Sequence, residues 1–361
     1  MSVILPLLYN AVYLGVTFDL IHYRNGYFNI YNEWKEKTTT EKEYYTSEYK
    51  VIESSRDVRE FFKIDSRLAL ALKLYKFESS VASIIKPSVI PRDRIVEIQF
   101  RVHYQKVEDT VPIFLKPNNS WITPNHKYID THFVKKIKRG GELTATLIFN
   151  CNSAEQKEKV LQSILKHIQK SGTFNETFID KLDNVKKELG KVYPRHSFRE
   201  MRCLGCLRIL RTNLKNMIQM AKELPEGINE NNIFPLEMEL EEISTVLDFP
   251  SYKVNEKVIK KLDEIEEMFD DINIAREKIL EWDPLSILEL NSEQEKLVRE
   301  YLDELKNARK IFVHTLLNLD ISPSASLNQF DEAFKQYVST DGYNLFQEKL
   351  KQLKRKVENS D

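Results

Sequence analysis

The sequence predicts an α+β protein in which a sheet with helical insertions covers about residues 1–250 and an all-α helical bundle covers residues 251–361. Two segments, 96–104 and 143–149, alternate apolar and polar residues, as half-buried strands do. Between residues 155 and 190 the apolar residues recur at the spacing of amphipathic helices. Helical spacing returns after Pro250 and continues to the C-terminus, which indicates a bundle.

A pair of glycines separates the two strand segments. The first segment has apolar residues at every second position, which predicts a strand with one buried face. The second begins directly after Gly140 and Gly141, so the pair ends one element and admits the next. Glycine is scarce, 9 of 361 residues, and the pair is expected where only glycine fits. The alternating residues are Val96, Ile98, Phe100, Val102 and Tyr104 opposite Glu97, Gln99, Arg101 and His103, then Leu143, Ala145, Leu147 and Phe149.

The middle of the chain is predicted to form a charged pair of helices over residues 155–190. Strand character returns near 207–210 and again near 234–243, with a helical stretch near 214–224 between them. Sheet residues therefore flank the helical pair on both sides in sequence. The apolar positions of the pair are Val160, Leu161, Ile164, Leu165 and Ile168, then Phe178, Leu182, Val185 and Leu189.

The last third of the chain carries apolar stripes that are typical of packed helices. Pro284 and the segment 322–324 are the expected breaks between helices. The basic run 354–356 is interpreted as the solvated end of the last helix. The apolar positions are Val258, Leu262, Ile265, Phe269 and Ile272, and then Leu297, Tyr301, Leu305 and Phe312.

One motif resembles the signature of the membrane attack complex/perforin and cholesterol-dependent cytolysin (MACPF/CDC) superfamily. Tyr128 is followed by Thr131-His132-Phe133, six residues, and then Gly140-Gly141. The glycine that usually precedes the threonine is Asp130 here, and one extra residue separates it from the aromatic residue. His132 is interpreted as structural, because no nucleophile and orienting carboxylate accompany it in a known pattern.

The surrounding chain is similar to one branch of that superfamily, the stonustoxin-like proteins. The segment 14–24, with Leu14-Gly15 and Phe18, resembles the opening of their domain, and segments 212–225 and 232–240 resemble its closing helix and strand. The resemblance extends over about residues 10–250. It implies a bent, twisted antiparallel sheet with helical insertions, in which the motif marks the bend, followed by a helical domain.

In lytic members of that superfamily the inserted helical clusters unroll into membrane hairpins. The first candidate cluster, about residues 56–94, has an alternating apolar row that a hairpin could present to lipid. Lys76, Glu78 and Lys86 continue this row with charges, and both registers of residues 151–200 mix charged and apolar positions. The candidate membrane-hairpin residues are Leu68, Leu70, Leu72 and Leu74.

Two functions follow from the resemblance and from these charges. The first is a membrane-acting, oligomerising protein of the pore-forming type, which acts alone or needs a related partner subunit. The alternative is a non-lytic interaction or scaffold protein with the same fold. The expected partners are a lipid membrane and a second copy or related subunit, and the target lipid is left open.

Other function classes lack their motifs. The sequence has no HExxH, P-loop or GxSxG pattern, so neither an enzyme nor a cofactor is expected. Cys203 and Cys206 form a lone CxxC with no second ligand pair at zinc spacing, so no metal is expected, and all three cysteines, including Cys151, are predicted to be free thiols. No basic stripe with exposed aromatic residues indicates nucleic-acid binding.

The uncharged segment 1–18 bears on localisation. Pro6, Asn10 and Gly15 interrupt it and no basic segment precedes it, so it fits neither a signal peptide nor a membrane span. Buried strands or a short helix are expected instead. Residues 1–250 carry 37 Lys and Arg against 32 Asp and Glu, whereas residues 251–361 carry 17 against 23. A soluble protein is expected, either cytoplasmic or released by a non-classical route.

Overall fold

The computed structural model describes residues 2–7, 12–20, 23–31, 37–74, 94–112, 115–117, 131–204, 213–280, 282, 290–337 and 342–358. Its residues form two compact units. Met1–Ile64 and Asp93–Tyr252 contribute to the first unit, and Asp65–Tyr75 and Lys253–Asp361 contribute to the second. The first unit contains all the strands described.

A curled antiparallel sheet forms the first unit. Its main path runs in the order β1-β9-β6-β5-β4-β7, while β2 and β3 form a hairpin on β6 and β8 also pairs with β6. The strands are β1 Ser2–Pro6, β2 Val16–Asp19, β3 Arg24–Asn29, β4 Thr38–Ile52, β5 Ile95–Thr110, β6 His132–Asn150, β7 Ser171–Thr173, β8 Arg195–Leu204 and β9 Phe234–Glu242.

The longest strand, β6, organises the sheet. On one side it pairs with β5 from residue 136 to 150 and with β2 at residues 132–133. On the other side it pairs with β9 over residues 132–140 and with β8 over residues 142–150. The prediction that the glycine pair ends one element and admits the next is wrong, because β6 continues through Gly140 and Gly141. Its partner strand changes there instead, from β9 to β8.

Three helices, Ala154–His167, Glu176–Leu189 and Leu214–Gly227, cover the apolar face of β4, β5 and β6. They begin at polar N-cap residues, since Ser153, Asn175 and Asn213 each accept a hydrogen bond from a backbone N–H of the first turn. Their apolar stripes pack on the alternating residues of the strands to make one core. The helices of this unit are α1 Ser55–Phe62, α3 Ala154–His167, α4 Glu176–Leu189 and α5 Leu214–Gly227.

The prediction of one buried face for β5 is wrong, because both faces are buried. Residues 95–105 of the strand are all buried, including the polar residues at alternate positions. Helix α1 covers part of the polar face, where the ring of Phe62 lies 5.7 Å from the guanidinium carbon of Arg101. A polar residue that faces a protein surface instead of water needs partners there.

The second unit is all-α in its described residues. Its helices are α2 Ser66–Leu74, α6 Glu256–Leu280, α7 Ser292–Leu317, α8 Asp331–Lys335 and α9 Leu345–Glu358. Phe269 and Phe312 lie in its core, and the hydroxyl of Tyr301 donates to the backbone of Phe346 at 2.7 Å. Asp271 of α6 accepts hydrogen bonds from the backbone N–H groups of Phe346 and Gln347, so it caps the first turn of α9.

The α+β class and the bent antiparallel sheet predicted from the sequence are confirmed. The predicted helical pair corresponds to α3 and α4. The uncharged N-terminal segment contributes strands as expected, but only β2 is mostly buried; β1 is largely exposed or half-buried, because it is the last strand of the main path. Several expectations concern residues that the structure does not describe: strand character at 207–210, the break at Pro284, the position of Tyr128, and the charged positions Lys76, Glu78 and Lys86.

The cysteines differ from one another. Cys151 is a buried free thiol, and burial raises its pKa. Cys203 is disulfide-bonded, so the prediction of free thiols is wrong at that position. Cys206 lies outside the described residues.

Candidate functional site

A line of register shifts crosses the sheet at the glycine pair. Pairing shifts between β4 and β5, between β5 and β6, and between β6 and β9. The shifts adjoin one another, because Gln105 pairs with both Tyr44 and Gly140, and Gly140 pairs with Phe234. Such irregularities bend a sheet and increase its twist. We call this line the crease; it comprises residues 41–44, 105–107, 138–140 and 235–237.

Close backbone approach explains the glycine pair. A Cβ atom on Gly140 would lie 2.8 Å from the carbonyl carbon of Tyr104 and would overlap its oxygen. A Cβ on Gly141 would lie 2.6 Å from the side chain of Ile228 and 2.9 Å from that of Leu224. Neither glycine has a positive φ. Lack of room, and not an unusual backbone conformation, therefore requires glycine at the crease.

A buried ionic network lies beside the crease on the polar face of the sheet. Arg101 of β5 contacts the carboxylate of Glu142 of β6, with its Nη2 atom 2.8 Å from Oε2. His103 Nδ1 lies 3.2 Å from the same oxygen, and Glu237 of β9 lies 3.5 Å from Arg101. Because Glu142 follows Gly141 directly, the network joins three strands where β6 changes partner.

The network strongly favours the ionised form of Glu142. Burial by itself raises the pKa of this carboxyl group, but the charges of Arg101 and His103 oppose it, and the pKa falls to about 2. Burial likewise opposes the charge on Arg101, and Glu142 and Glu237 raise its pKa. Charges removed from water in this way are stable only while their partners remain.

A second ionic cluster lies on the other side of the crease. The carboxylate of Asp109 in β5, whose side chain is 1% exposed, accepts from Arg139 Nε at 2.6 Å and from Lys37 Nζ at 2.7 Å. Thr39 of β4 donates to the other carboxylate oxygen at 2.8 Å. Burial raises the pKa of Asp109, but these donors together lower it. Ion pairs thus join the strands on both sides of the crease.

The Thr131-His132-Phe133 part of the signature motif lies at the start of β6, whereas Gly140 and Gly141 lie in the middle of the strand. Thr131, His132 and Phe133 are placed where β2 and β9 both meet β6. His132 is 1% exposed, its Nδ1 atom lies 2.8 Å from Thr131 Oγ1, and its ring packs edge-on against Tyr252 at 5.1 Å. Phe133 is buried and packs edge-on against Tyr31. Thr131, His132 and Phe133 therefore lie where three strands meet, away from the crease.

The candidate membrane-hairpin residues lie in α2 of the second unit. Leu68, Leu70 and Leu72 are buried, and Leu74 is half-buried. Alternate residues share a face in a strand but point in different directions in a helix. The four leucines therefore form no single row in this conformation, and a hairpin role requires α2 to refold.

Charged contacts hold α2 against α6. Lys73 Nζ lies 2.7 Å from Glu266 Oε1 and 2.6 Å from Asp270 Oδ1, and the three side chains are 3%, 1% and 8% exposed. Ser66 at the start of α2 donates to Asp263 of α6. We call Lys73, Glu266 and Asp270 the α2 clamp. Lysine is otherwise seldom buried this deeply.

The second candidate cluster, residues 151–200, packs on the sheet through aromatic rings. The ring of Phe100 in β5 lies 4.6 Å from that of Phe174 and 5.1 Å from that of Phe178. The outer faces of α3 and α4 are charged, as in the exposed pair of Glu155 and Lys159. Both clusters therefore keep their apolar residues inside, as amphipathic helices do.

Within the described residues, β1 and the first part of β4 each have one edge that no other strand covers. In the part of the chain that is described, β7 pairs with β4 at Glu48, Tyr49 and Lys50, and the residues flanking β7 hydrogen-bond to Ser47 and Val51. No strand described pairs with the outer edge of β4 over residues 38–46. Among the strands described, β1 pairs with β9 alone. Ile4 on β1 is 50% exposed and Tyr44 on β4 is 52% exposed. Edges of this kind are templates for pairing with another chain.

Sequence reasoning did not identify the buried charges. The alternation of residues 96–104 predicts a solvent-facing position for Arg101, and no sequence pattern distinguishes Glu142, Asp109 or Arg139. Their partners lie far away in the sequence, and their only common signal is opposite charge on strands that pair antiparallel about the glycines. Strand register is needed before that signal has meaning.

Among the residues described, no group of three or more His, Cys, Asp or Glu side chains is placed to hold a metal ion. None of the described helices is long and apolar enough to cross a membrane.

No protein-family model matches the sequence, and no curated protein matches it. Among solved structures, stonustoxin superimposes with a TM-score of 0.59 at 14% identity, covering 99% of this chain and 48% of the stonustoxin chain. Listeriolysin O gives a TM-score of 0.34 at 10% identity, covering 57% and 40% of the two chains. A putative cell invasion protein with a MAC/Perforin domain from Bacteriodes thetaiotaomicron VPI-5482 gives 0.31 at 8%, covering 71% and 59%.

The likeness to stonustoxin concerns the fold. The chain has a MACPF/CDC-like fold, as the resemblance in sequence implies. It spans about half the length of the stonustoxin chain that it matches.

Proposed function

We propose that the chain is a membrane-acting, oligomerising protein of the MACPF/CDC pore-forming type. The observation that carries this proposal is the crease, where aligned register shifts and the Gly140 contact define one line across a curled sheet. Opening a sheet about such a line changes its curl while most strand pairs stay intact. A protein that converts from a folded unit to part of a barrel needs a movement of this kind.

Assembly is proposed to use the two outer edges. The edges of β1 and β4 lie at opposite sides of one sheet, so the β1 edge of one copy can pair with the β4 edge of the next. Contacts between different surfaces of identical copies produce rings, arcs or open filaments. Strand β7 covers part of the β4 edge and has to move away if pairing is to extend along β4.

Membrane contact is proposed to come from the two helical clusters after they refold. A spanning strand needs about 9–11 residues with an apolar lipid-facing row. The leucines of α2 provide a short row, and the charges of α3 and α4 interrupt theirs. This chain therefore contributes to a pore together with further copies, or with a related subunit whose hairpin segments have fewer charges in their lipid-facing rows.

Vesicle leakage with negative-stain imaging of the same samples tests the proposal. The full chain is added to dye-loaded vesicles that contain anionic lipid, sterol or neither, alone and with any related subunit. Rings or arcs accompanied by dye release are expected. Monomers that leave every vesicle composition intact would reject the proposal.

A non-lytic interaction protein is the second candidate, and the charged outer faces of α3 and α4 favour it. Charged faces of this kind suit solvent or a partner protein better than lipid. This candidate predicts a stable soluble oligomer that releases no dye. It also predicts that the oligomer tolerates changes of exposed charges between residues 155 and 190, such as Glu155→Lys.

A further inference from the structure

A cavity of about 460 Å³ lies inside the curl of the sheet in the first unit. Five strands contribute to its walls, from Ile4 of β1 to Glu48 of β4, and Lys63 after α1 lies at its margin. Three strands, β9, β6 and β5, separate β1 from β4 in the sheet. Residues of β1 and β4 can therefore line one cavity only because the sheet curls around it. Its volume lies within the range of small-molecule sites.

Charges of both signs are mixed around the cavity. Its walls contain four Lys and Arg side chains, His103 and three carboxylates, and the nearby carboxylate of Glu142 contacts both Arg101 and His103. Glu237 lies between Lys138, at 3.0 Å, and Arg101, at 3.5 Å. Neither an anion nor a cation would therefore find a site of opposite net charge.

Hydrogen-bonding groups of both kinds remain available there. Gln105 lines the cavity, is 4% exposed, and its Nε2 donor has no hydrogen-bond partner in the protein. Glu48 and Thr46 line the same cavity on β4 and offer acceptors. A buried polar group without a partner is unfavourable, which favours a bound molecule that supplies one. Hydroxyl groups suit such walls, because each one both donates and accepts.

Aromatic rings form an apolar part of the wall. Phe62 is buried at the end of α1, and Tyr44 lies on β4 with its ring 6.4 Å from that of His103. A sugar ring combines an apolar face with a rim of hydroxyl groups, and it is uncharged. We propose that the cavity binds a pyranose sugar, either as a free glycoside or as the headgroup of a glycolipid.

Binding at this position would also brace the sheet. A ligand held by β1, β9, β6, β5 and β4 together contacts strands on both sides of the curl. It therefore stabilises the curled arrangement over any opened one, by an amount set by its affinity and concentration. The site itself is independent of membrane insertion, and its test needs no leakage assay.

The test is direct binding to the full chain. Methyl pyranosides of glucose, galactose, mannose and N-acetylglucosamine are titrated and followed by saturation-transfer NMR and by the unfolding temperature. At least one is expected to bind at millimolar concentration or below and to raise that temperature. Absence of binding by all four would overturn the proposal.

Three variants on β4 locate the site. Thr46→Met fills the cavity and is expected to weaken binding by at least about tenfold, whereas Thr40→Met, at an exposed position outside the cavity, changes it by less than about twofold. Glu48→Gln keeps the size of the side chain and is expected to weaken binding by about fivefold, which serves if Thr46→Met does not fold. Equal affinities in all the variants would place the sugar elsewhere and overturn the assignment.

Vesicles with and without a glycolipid that carries the bound sugar separate the two sources. If the chain sediments only with the vesicles that carry the glycolipid, and the Thr46→Met variant does not, the ligand is a membrane headgroup. Binding to the free glycoside without sedimentation identifies a soluble sugar. Either result supports the site.

Discussion

Gly140 of β6 lies so close to Tyr104 of β5 that a methyl group on the glycine would overlap the tyrosine carbonyl oxygen. The contact occurs where three strand pairings change register, so it sets the distance between β5 and β6 at the crease. A backbone atom cannot move aside as the end of a side chain can. The glycine is therefore a steric requirement of the curled sheet.

The first prediction concerns this contact. Gly140→Ala is expected to destabilise the first unit by about 3 kcal/mol or more, because two backbones must separate. Gly227→Ala is the matched control, since no atom lies within 4 Å of the added methyl group. That change at the end of α5 is expected to alter stability by less than about 1 kcal/mol. Urea unfolding measures both, and equal midpoints would contradict the steric role of Gly140.

The second prediction is a loss of stability in acid. The pKa of Glu142 falls from its ordinary value of 4.5 to about 2, because Arg101 and His103 outweigh the effect of burial. A carboxyl group with a lowered pKa stabilises the fold above its unfolded pKa and loses this effect as pH falls through the folded value. About 3 kcal/mol is therefore expected to disappear between about pH 4.5 and pH 2.

Substitution separates Glu142 from the other carboxyl groups. Glu142→Gln is expected to destabilise the protein near neutral pH by about 3 kcal/mol, because Arg101 keeps its buried charge without this partner. The variant should also lose that part of the acid dependence. Glu155→Gln on the exposed face of α3 is the control and should keep it. An unchanged pH profile in Glu142→Gln would show that other groups are responsible.

A third prediction concerns the α2 clamp. Lys73→Met removes the buried ammonium group that contacts the carboxylates of Glu266 and Asp270, so a loss of about 3–5 kcal/mol is expected in the second unit. Amide hydrogens of residues 66–74 should exchange faster as α2 loosens. Lys296→Met removes an exposed lysine that lies 3.9 Å from Glu300 on α7 and should have an effect below about 1 kcal/mol. Unchanged exchange in α2 would mean that its leucines hold it without the clamp.

The fourth prediction rests on the proposed function and concerns β7. Glu48 and Thr173 are paired across β4 and β7, so a disulfide between Glu48→Cys and Thr173→Cys would keep β7 on the β4 edge. Rings or arcs on vesicles are then expected only after reduction. The Glu48→Cys single variant controls for reductant and for the native cysteines. Assembly by the oxidised double variant would exclude displacement of β7.

Local pattern was sufficient to predict most of the elements. The alternation at residues 96–104 and 143–149 corresponds to β5 and β6, and the helical spacing near 155–190 corresponds to α3 and α4. Both signals depend only on the periods of strand and helix. The motif that ends in Gly140 and Gly141 also predicted the class of sheet, although Tyr128 lies outside the described residues.

The alternation of β5 also misled, because period alone does not say what covers the polar face. Arg101 and His103 have the spacing of solvent-facing residues, and the structure buries both of them. Their partner, Glu142, is 39 or more residues away along the chain. Only the antiparallel register about the glycines brings these charges together.

The leucines of α2 are a second case in which the alternation of residues does not determine the structure. Leu68, Leu70, Leu72 and Leu74 alternate as strand residues do, whereas packing against α6 and the contact of Lys73 with Glu266 and Asp270 favour a helix. Short apolar runs are ambiguous between helix and strand. The hairpin role of these leucines stays a prediction.

The sequence by itself determined the periods of the elements, the glycine pair and the resemblance to the MACPF/CDC superfamily, because each is written in consecutive residues. Tertiary structure alone decided where the bend lies across the sheet, which charges are buried, and that a cavity fills the curl. These features join β1, β4, β5, β6 and β9, which are distant in sequence. They exist only once strand register and sheet curl bring those strands together.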